Sequence, residues 1–152
     1  MQNSIFVKAI LALSGLIATG VGSAILFIPH AFHASAGIVV ADDVNLLNEM
    51  RASGGLLMAC GLFALFGTIR AKLALPALVV SATLYLSYGL SRVVSVVIDG
   101  LPNGAMVQIM ALELGVAVIC LVALRSLRLS QKKNCREDPT DTRFPENQVI
   151  PH

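Results

Sequence analysis

Hydrophobic residues fill four long stretches of the chain, and polar residues gather in the short segments between them. The stretches cover residues 5–28, 51–69, 73–98 and 105–124. Each stretch reaches the roughly 17–25 residues that a helix needs to cross a membrane. Membrane strands would instead show alternating segments of about ten residues, and helices satisfy their own backbone hydrogen bonds in lipid. The pattern predicts an all-α fold, a transmembrane four-helix bundle.

The character of the chain changes after the fourth stretch. Residues 129–152 are polar, carry charges of both signs and contain Pro139, Pro145 and Pro151. Such a segment cannot bury enough apolar surface to fold. We therefore predict a transmembrane domain over residues 1–128, followed by a disordered cytoplasmic tail over residues 129–152.

The composition agrees with a location in the membrane. The 152 residues are 56% hydrophobic and 13% charged, with a mean hydropathy of +0.79. Soluble domains are about 45–50% apolar and about 25% charged. The net charge is only +2, Trp is missing, and no basic stripe is interleaved with aromatic residues. We therefore expect membrane lipids as partners and no binding to nucleic acid.

Basic residues mark one side of the predicted bundle. Lys8 opens the first stretch, and Arg70 and Lys72 lie between the second and the third. The fourth stretch is followed by Arg125, Arg128, Lys132, Lys133 and Arg136. The connections over residues 29–48 and 99–104 contain no Lys or Arg. The positive-inside rule places both termini in the cytoplasm, and the expected location is a bacterial inner membrane.

The N-terminus admits a second interpretation. Lys8, the first stretch and the run Ala34-Ser35-Ala36 resemble a secretory signal with a small-residue cleavage site. The stretch exceeds the usual 7–15 residues, and Pro29 interrupts the segment before the site. Cleavage would leave three spans and an external N-terminus.

A line of polar side chains runs along the third stretch. Its members are Ser81, Tyr85, Tyr88, Arg92, Ser95 and Asp99. Their alternating spacings of four and three residues place all of them on one helical face. Because lipid offers this face no hydrogen-bond partner, we expect it to face the inside of the bundle.

Arg92 and Glu113 stand at matched depths in consecutive stretches. Arg92 lies about 10 Å before Asp99, and Glu113 lies about 12 Å after Ala105, at the helical rise per residue. Inserting a charged side chain at this depth costs at least about 2.5–3.5 kcal/mol of free energy, so such a residue is expected to have a charge partner or a function. In a helical hairpin the guanidinium and the carboxylate can meet. Such a pair could fix helix register, or it could line a pocket for a polar head, an anion or a proton.

Further polar residues are expected at the same outer level. We predict a cavity between the second, third and fourth helices, for a small polar or anionic ligand or a lipid head. Arg92 and Glu113 form its deep pair, and the remaining members are Glu49, Arg51, Tyr88, Asp99 and Gln108. Glu49 and Arg51 are two residues apart, point to different sides of a helix and should pair with other groups.

Small residues favour close packing of the first two helices. Ala52, Gly55 and Ala59 follow each other at spacings of three and four in the second stretch. The first stretch has two such series, Gly15, Thr19, Ser23 and Ser14, Ala18, Gly22. These series predict contact faces and carry no chemistry.

His30 and His33 raise the question of a metal. With Asp42 and Asp43 in the same connection, a zinc or copper site is conceivable. A lone pair of histidines on a loop is weak support, and two residues near the lipid head groups explain the pattern as well. We assign no metal and no cofactor.

The run from Asn48 to Gly55, Asn-Glu-Met-Arg-Ala-Ser-Gly-Gly, resembles the start of helix two in a family of small bacterial inner-membrane proteins catalogued as a domain of unknown function. Arg92, Glu113 and the turn Asp99-Gly100-Leu101-Pro102 resemble later features of that family. The resemblance covers most of residues 5–125 and implies a four-helix layout without an established activity. A broader likeness, of fold only, links the chain to small four-helix proteins of quinone-linked redox.

Three hypotheses for function remain open. The first is a non-enzymatic protein with an outward-facing pocket, in which Arg92 holds the ligand head and Glu113 orients Arg92 or exchanges a proton. The second is a small proton-coupled transporter, as a monomer or a homodimer, with Glu113 as the coupling carboxylate. The third is an accessory redox subunit that binds quinone. No Walker loop, nucleophile elbow or dinucleotide fingerprint is found, so an enzyme is the less expected class.

Overall fold

The computed structural model describes residues 2–137 and the side chains of residues 5–129, and it consists of helices joined by short connections. The helices are α1 (Gln2–Phe27), α2 (Pro29–Ser35), α3 (Val44–Ile69), α4 (Ala74–Asp99) and α5 (Gly104–Glu137). No strand occurs among residues 2–137. Helices α1, α3, α4 and α5 are long and apolar enough to cross a membrane. The predicted class, a transmembrane four-helix bundle, is confirmed.

Two helices extend beyond the predicted stretches. Helix α3 begins at Val44 because the Asp43 side chain accepts a hydrogen bond from the Leu46 backbone N–H at 2.9 Å, which caps the helix. Helix α5 continues past the apolar stretch as far as Glu137. The rest of the predicted tail, residues 138–152, lies outside the described residues.

The short helix α2 lies in what the hydrophobic pattern predicts as a loop. Pro29 occupies its first turn, where a fixed φ favours a helix start and the missing N–H costs nothing. The helix ends before Gly37, whose φ of 75° is a left-handed conformation that suits glycine. A helix of this length has no strong periodic signal, which is why the pattern misses it.

The long helices are arranged with α1 and α4 on the short diagonal of the bundle. Helix α1 packs most extensively on α3, and α4 packs on α5. Helix α1 also contacts both α4 and α5, and α3 contacts α4. Among the described residues, α3 and α5 approach each other less closely than any other two long helices, with no Cα atoms within 8 Å. This arrangement decides which side chains can share a cavity.

Glycines allow the backbones of α1 and α3 to approach closely. A Cβ on Gly61 would lie 2.5 Å from the Thr19 backbone nitrogen, and one on Gly15 would lie 2.9 Å from the Gly61 carbonyl. A Cβ on Gly54 would lie 3.0 Å from the carbonyl oxygen of Gly22, a member of the second predicted series. The contact faces predicted for α1 are therefore confirmed.

The contact face predicted for α3 is wrong within the chain. Ala52 and Ala59 are exposed, and the space around Gly55 is open. The face that meets α1 contains Gly54 and Gly61 instead. Adjacent glycines at 54 and 55 lie on different sides of the helix, so spacing alone does not decide between them.

The two ends of the bundle are packed differently. At the end that carries Lys8 and Arg70, side chains from all four long helices form a dense core. The core residues include Val7, Leu11, Ala64, Ala77, Leu78, Cys120 and Ala123. At the other end the helices leave a cavity between them.

Candidate functional site

The predicted contact between Arg92 and Glu113 is present across α4 and α5. The Arg92 Nε donates to the Glu113 Oε2 at 2.8 Å. The Arg92 side chain is 33% exposed and that of Glu113 is 11% exposed. One turn before Arg92, Gly89 lets α4 approach α5 closely, because a Cβ there would lie 2.6 Å from Leu114. The two charges therefore neutralise each other at a tight helix contact.

A cavity of about 340 Å³ lies beside this ion pair. It is lined by α1, α2, α4 and α5 and by the connection after α2, and Leu57 is the contribution of α3. The apolar walls are formed by Ile17, Val21, Ile25, Phe32, Ala36, Ile38, Leu57, Leu84, Met106, Ile109 and Leu112. The polar part consists of His33, Tyr85, Tyr88, Arg92 and Glu113. The site thus combines a large apolar surface with a small polar cluster.

Two tyrosines on one face of α4 have different surroundings. The Tyr85 hydroxyl donates to the Ser14 carbonyl of α1 at 2.7 Å and ties these helices together. The Tyr88 hydroxyl makes no hydrogen bond with any described residue. Both rings line the cavity. Because its hydroxyl is already bonded to α1, Tyr85 stabilises the fold, whereas the Tyr88 hydroxyl is available to a ligand.

Four of the predicted site residues lie away from the cavity. Glu49 and Arg51 are exposed on α3, and Gln108 is exposed on α5. Asp99 is exposed and accepts a hydrogen bond from the Ser95 hydroxyl at 3.0 Å. The sequence predicts a site between α3, α4 and α5, whereas this cavity is lined mainly by α1, α2, α4 and α5, and α3 contributes Leu57.

The segment after α1 contributes residues that the sequence did not single out for the cavity. Phe32, His33, Ala36 and Ile38 line it from α2 and the following connection. Asn103 fixes this segment, since its Nδ2 donates to the Ala36 carbonyl at 2.9 Å. An Asn directly before a helix is a familiar cap, and this signal could have marked Asn103.

Asn103 also holds the start of α5. Its Oδ1 accepts a hydrogen bond from the Met106 backbone N–H at 3.0 Å. Met106 in turn lines the cavity, and its sulfur lies 3.4 Å from the Arg92 Nη1. One side chain therefore links α2, the α4–α5 connection and the polar wall of the cavity.

The two histidines of α2 do not converge on a common point. The His33 Nδ1 lies 2.8 Å from the Pro29 carbonyl oxygen. The His30 Nε2 lies 3.4 Å from Asp42, and both of these side chains are exposed. Within the described part of the chain, no three metal-ligating side chains come together.

Comparison with known proteins gives a family and no function. The model of the family described as Domain of unknown function (DUF4345) matches residues 6–124, and the chain belongs to this family. No curated protein and no solved structure matches the chain. The family and the four apolar helices together fit an integral membrane protein of unknown activity.

Proposed function

We propose that the protein binds a small amphipathic molecule within the membrane, with the polar or anionic head of the molecule beside Arg92. The observation that carries this proposal is the position of the ion pair at a cavity wall. Arg92 and Glu113 both line the cavity, although a pair that only fixes helix register could be closed off by packing.

The size and lining of the cavity favour a small organic ligand. Its volume of about 340 Å³ lies near the lower end of the roughly 300–1,000 Å³ range of ligand pockets. It is about twice the roughly 150 Å³ of an apolar cavity that accepts benzene. A ligand with one ring or a short chain fits this space, and the apolar walls would bind its body.

Arg92 is the residue that we expect to contact the head. Its Nε is engaged by Glu113, while a guanidinium offers five N–H donors in total. The remaining N–H groups can donate to an oxygen of the ligand. Glu113 orients the guanidinium, and Tyr88 supplies a further hydroxyl at the same wall.

The cavity lies at the end of the bundle opposite Lys8, Arg70, Lys72 and the basic residues that end the α5 span. The connections at this end hold Asp42, Asp43 and Asp99 and no Lys or Arg. Under the positive-inside rule this is the outer side, so the pocket would receive its ligand from outside or from the outer leaflet.

Native mass spectrometry can test the proposal with a variant in which a larger side chain fills the cavity and the ion pair is left intact. The protein would be incubated with a total lipid extract of its host and transferred gently from detergent. We expect a bound small molecule on the wild type and a loss of at least tenfold in its occupancy in Ile109→Trp, because the larger ring occupies the cavity.

Ile119→Trp is the matched control, because Ile119 is exposed on the same helix and does not line the cavity. This variant should retain the molecule. If no molecule is retained by the wild type, or if Ile109→Trp and Ile119→Trp retain it equally, the proposal is wrong.

A further inference from the structure

The histidine of α2 keeps one ring nitrogen free of any hydrogen bond to the described residues. His33 lines the cavity and is half-buried, and its Nδ1 lies 2.8 Å from the Pro29 carbonyl oxygen. A carbonyl oxygen can only accept, so the proton of the neutral ring resides on Nδ1. Nε2 is then a lone-pair acceptor, and no described residue donates to it.

The ion pair limits the charge that a ligand can bring. Arg92 and Glu113 lie 2.8 Å apart and together contribute no net charge to the cavity. The remaining lining residues include no Lys, Arg, Asp or Glu. An anionic head would leave an excess negative charge among apolar walls, where an uncompensated charge is costly. An uncharged head avoids this cost and can still accept hydrogen bonds from Arg92.

We infer that the ligand is an uncharged amphiphile whose head carries a hydroxyl group, an alcohol or a phenol, and that this hydroxyl donates to the His33 Nε2. The inference rests on the proposed function and narrows it, since a polar or anionic head becomes a neutral hydroxylated one. It also adds His33 to the residues that contact the ligand.

The segment that carries His33 is held in place for this contact. Asn103 donates to the Ala36 carbonyl at 2.9 Å, and the His33 ring packs edge-on against Phe32 with ring centroids 5.3 Å apart. The bond from Nδ1 to Pro29 fixes the ring further. The orientation of the ring is therefore set before binding, which reduces the entropy lost when a ligand hydroxyl donates to it.

Two probes with the same apolar body but different head groups show whether the site prefers a neutral hydroxyl or an anionic carboxylate. Binding of 4-pentylphenol and of 4-pentylbenzoate to the full-length protein in lipid nanodiscs would be measured by equilibrium dialysis at neutral pH. We expect the phenol to bind at least tenfold more tightly than the benzoate. His33→Leu should weaken the phenol about tenfold and leave the benzoate unchanged, because only the phenol donates to Nε2.

Variants of the same helix serve as controls. His33→Gln keeps an acceptor oxygen and should restore most of the phenol affinity. His30→Leu removes a histidine of α2 that does not line this cavity, and it should bind as the wild type does. Thermal unfolding would confirm that each variant is folded before its binding is compared.

The outcomes distinguish this inference from the proposed function. If Ile109→Trp blocks both probes, but the benzoate binds as tightly as the phenol or His33→Leu has no effect, the cavity is a binding site and the inference about its ligand is wrong. If Ile109→Trp weakens neither probe, or the wild type binds neither, the proposed function fails and the inference fails with it.

Discussion

Arg92 and Glu113 hold each other at a depth where either charge alone is unfavourable. Each charge compensates the desolvation cost of the other, because a partly exposed guanidinium and a nearly buried carboxylate are in contact at 2.8 Å. Replacing one of the two residues leaves an uncompensated charge, whereas replacing both removes both charges. The pair should therefore show strong coupling in a double-mutant cycle.

We predict that Arg92→Met and Glu113→Leu each lower the free energy of unfolding by about 2 kcal/mol. The cost is below the roughly 3–5 kcal/mol of a fully buried pair because 33% of the Arg92 side chain is exposed. The double variant should regain more than half of the summed loss. Denaturation in mixed detergent micelles would measure all four proteins of the cycle.

Arg51→Met is the matched control for the loss of an arginine. Arg51 is exposed on α3 and forms no ion pair with any described residue, so its replacement should change stability by less than about 0.5 kcal/mol. If the losses of Arg92→Met and Glu113→Leu simply add in the double variant, the two charges are not coupled and the pair does not stabilise the bundle.

At the scale of elements, the contact between α1 and α3 depends on particular glycines. Gly61→Ala should lower the free energy of unfolding by about 1–3 kcal/mol, the usual cost of overpacking. The added Cβ would lie 2.5 Å from the Thr19 nitrogen, and a backbone atom cannot move aside without shifting the helix. Thermal unfolding in detergent, followed by circular dichroism, would measure the loss.

Gly55→Ala provides the comparison on the same helix. Nothing lies within 4 Å of a Cβ at Gly55, and alanine is the better helix former, so stability should be unchanged or higher. A larger loss for Gly55→Ala than for Gly61→Ala would contradict this packing. It would indicate instead that the face with Ala52 and Ala59 is covered, as in an oligomer.

The long helices are predictable from sequence, and their packing is not. Apolar length identifies α1, α3, α4 and α5, because lipid requires it of any spanning helix. Spacing also shows which small residues share a face. It does not show which of two adjacent faces meets a neighbour, and so Gly55 is favoured where Gly54 makes the contact. Helix α2 is too short to have a usable period.

At the scale of the whole molecule, the sequence predicts the contact between neighbouring helices in the candidate site but not which other helices complete the site. Matched depth in consecutive spans predicts that Arg92 meets Glu113, since a short connection forces α4 and α5 into a hairpin. Nothing in a single span indicates that α1 and α2 form so much of the cavity wall. Glu49 and Arg51 are therefore placed in the predicted cavity, while His33 is left out of it.

The distribution of charge over the molecule predicts which side of the membrane the cavity opens to. The described basic residues other than Arg51 and Arg92 lie at the end where α1 begins, α3 ends and α4 begins, or in the C-terminal part of α5. Helix α2 and the α4–α5 connection lie at the opposite end. By the positive-inside rule we therefore predict that α2 lies outside and that the α3–α4 connection lies in the cytoplasm.

Cysteine labelling would test this orientation in a background that lacks Cys60, Cys120 and Cys135. Ser35 on α2 and Ala71 in the α3–α4 connection are both exposed. A membrane-impermeant maleimide should label Ser35→Cys in intact cells, and it should label Ala71→Cys only after the membrane is opened. The reverse pattern would turn the cavity toward the cytoplasm, and its ligand would then have to come from the inner leaflet or the cell interior.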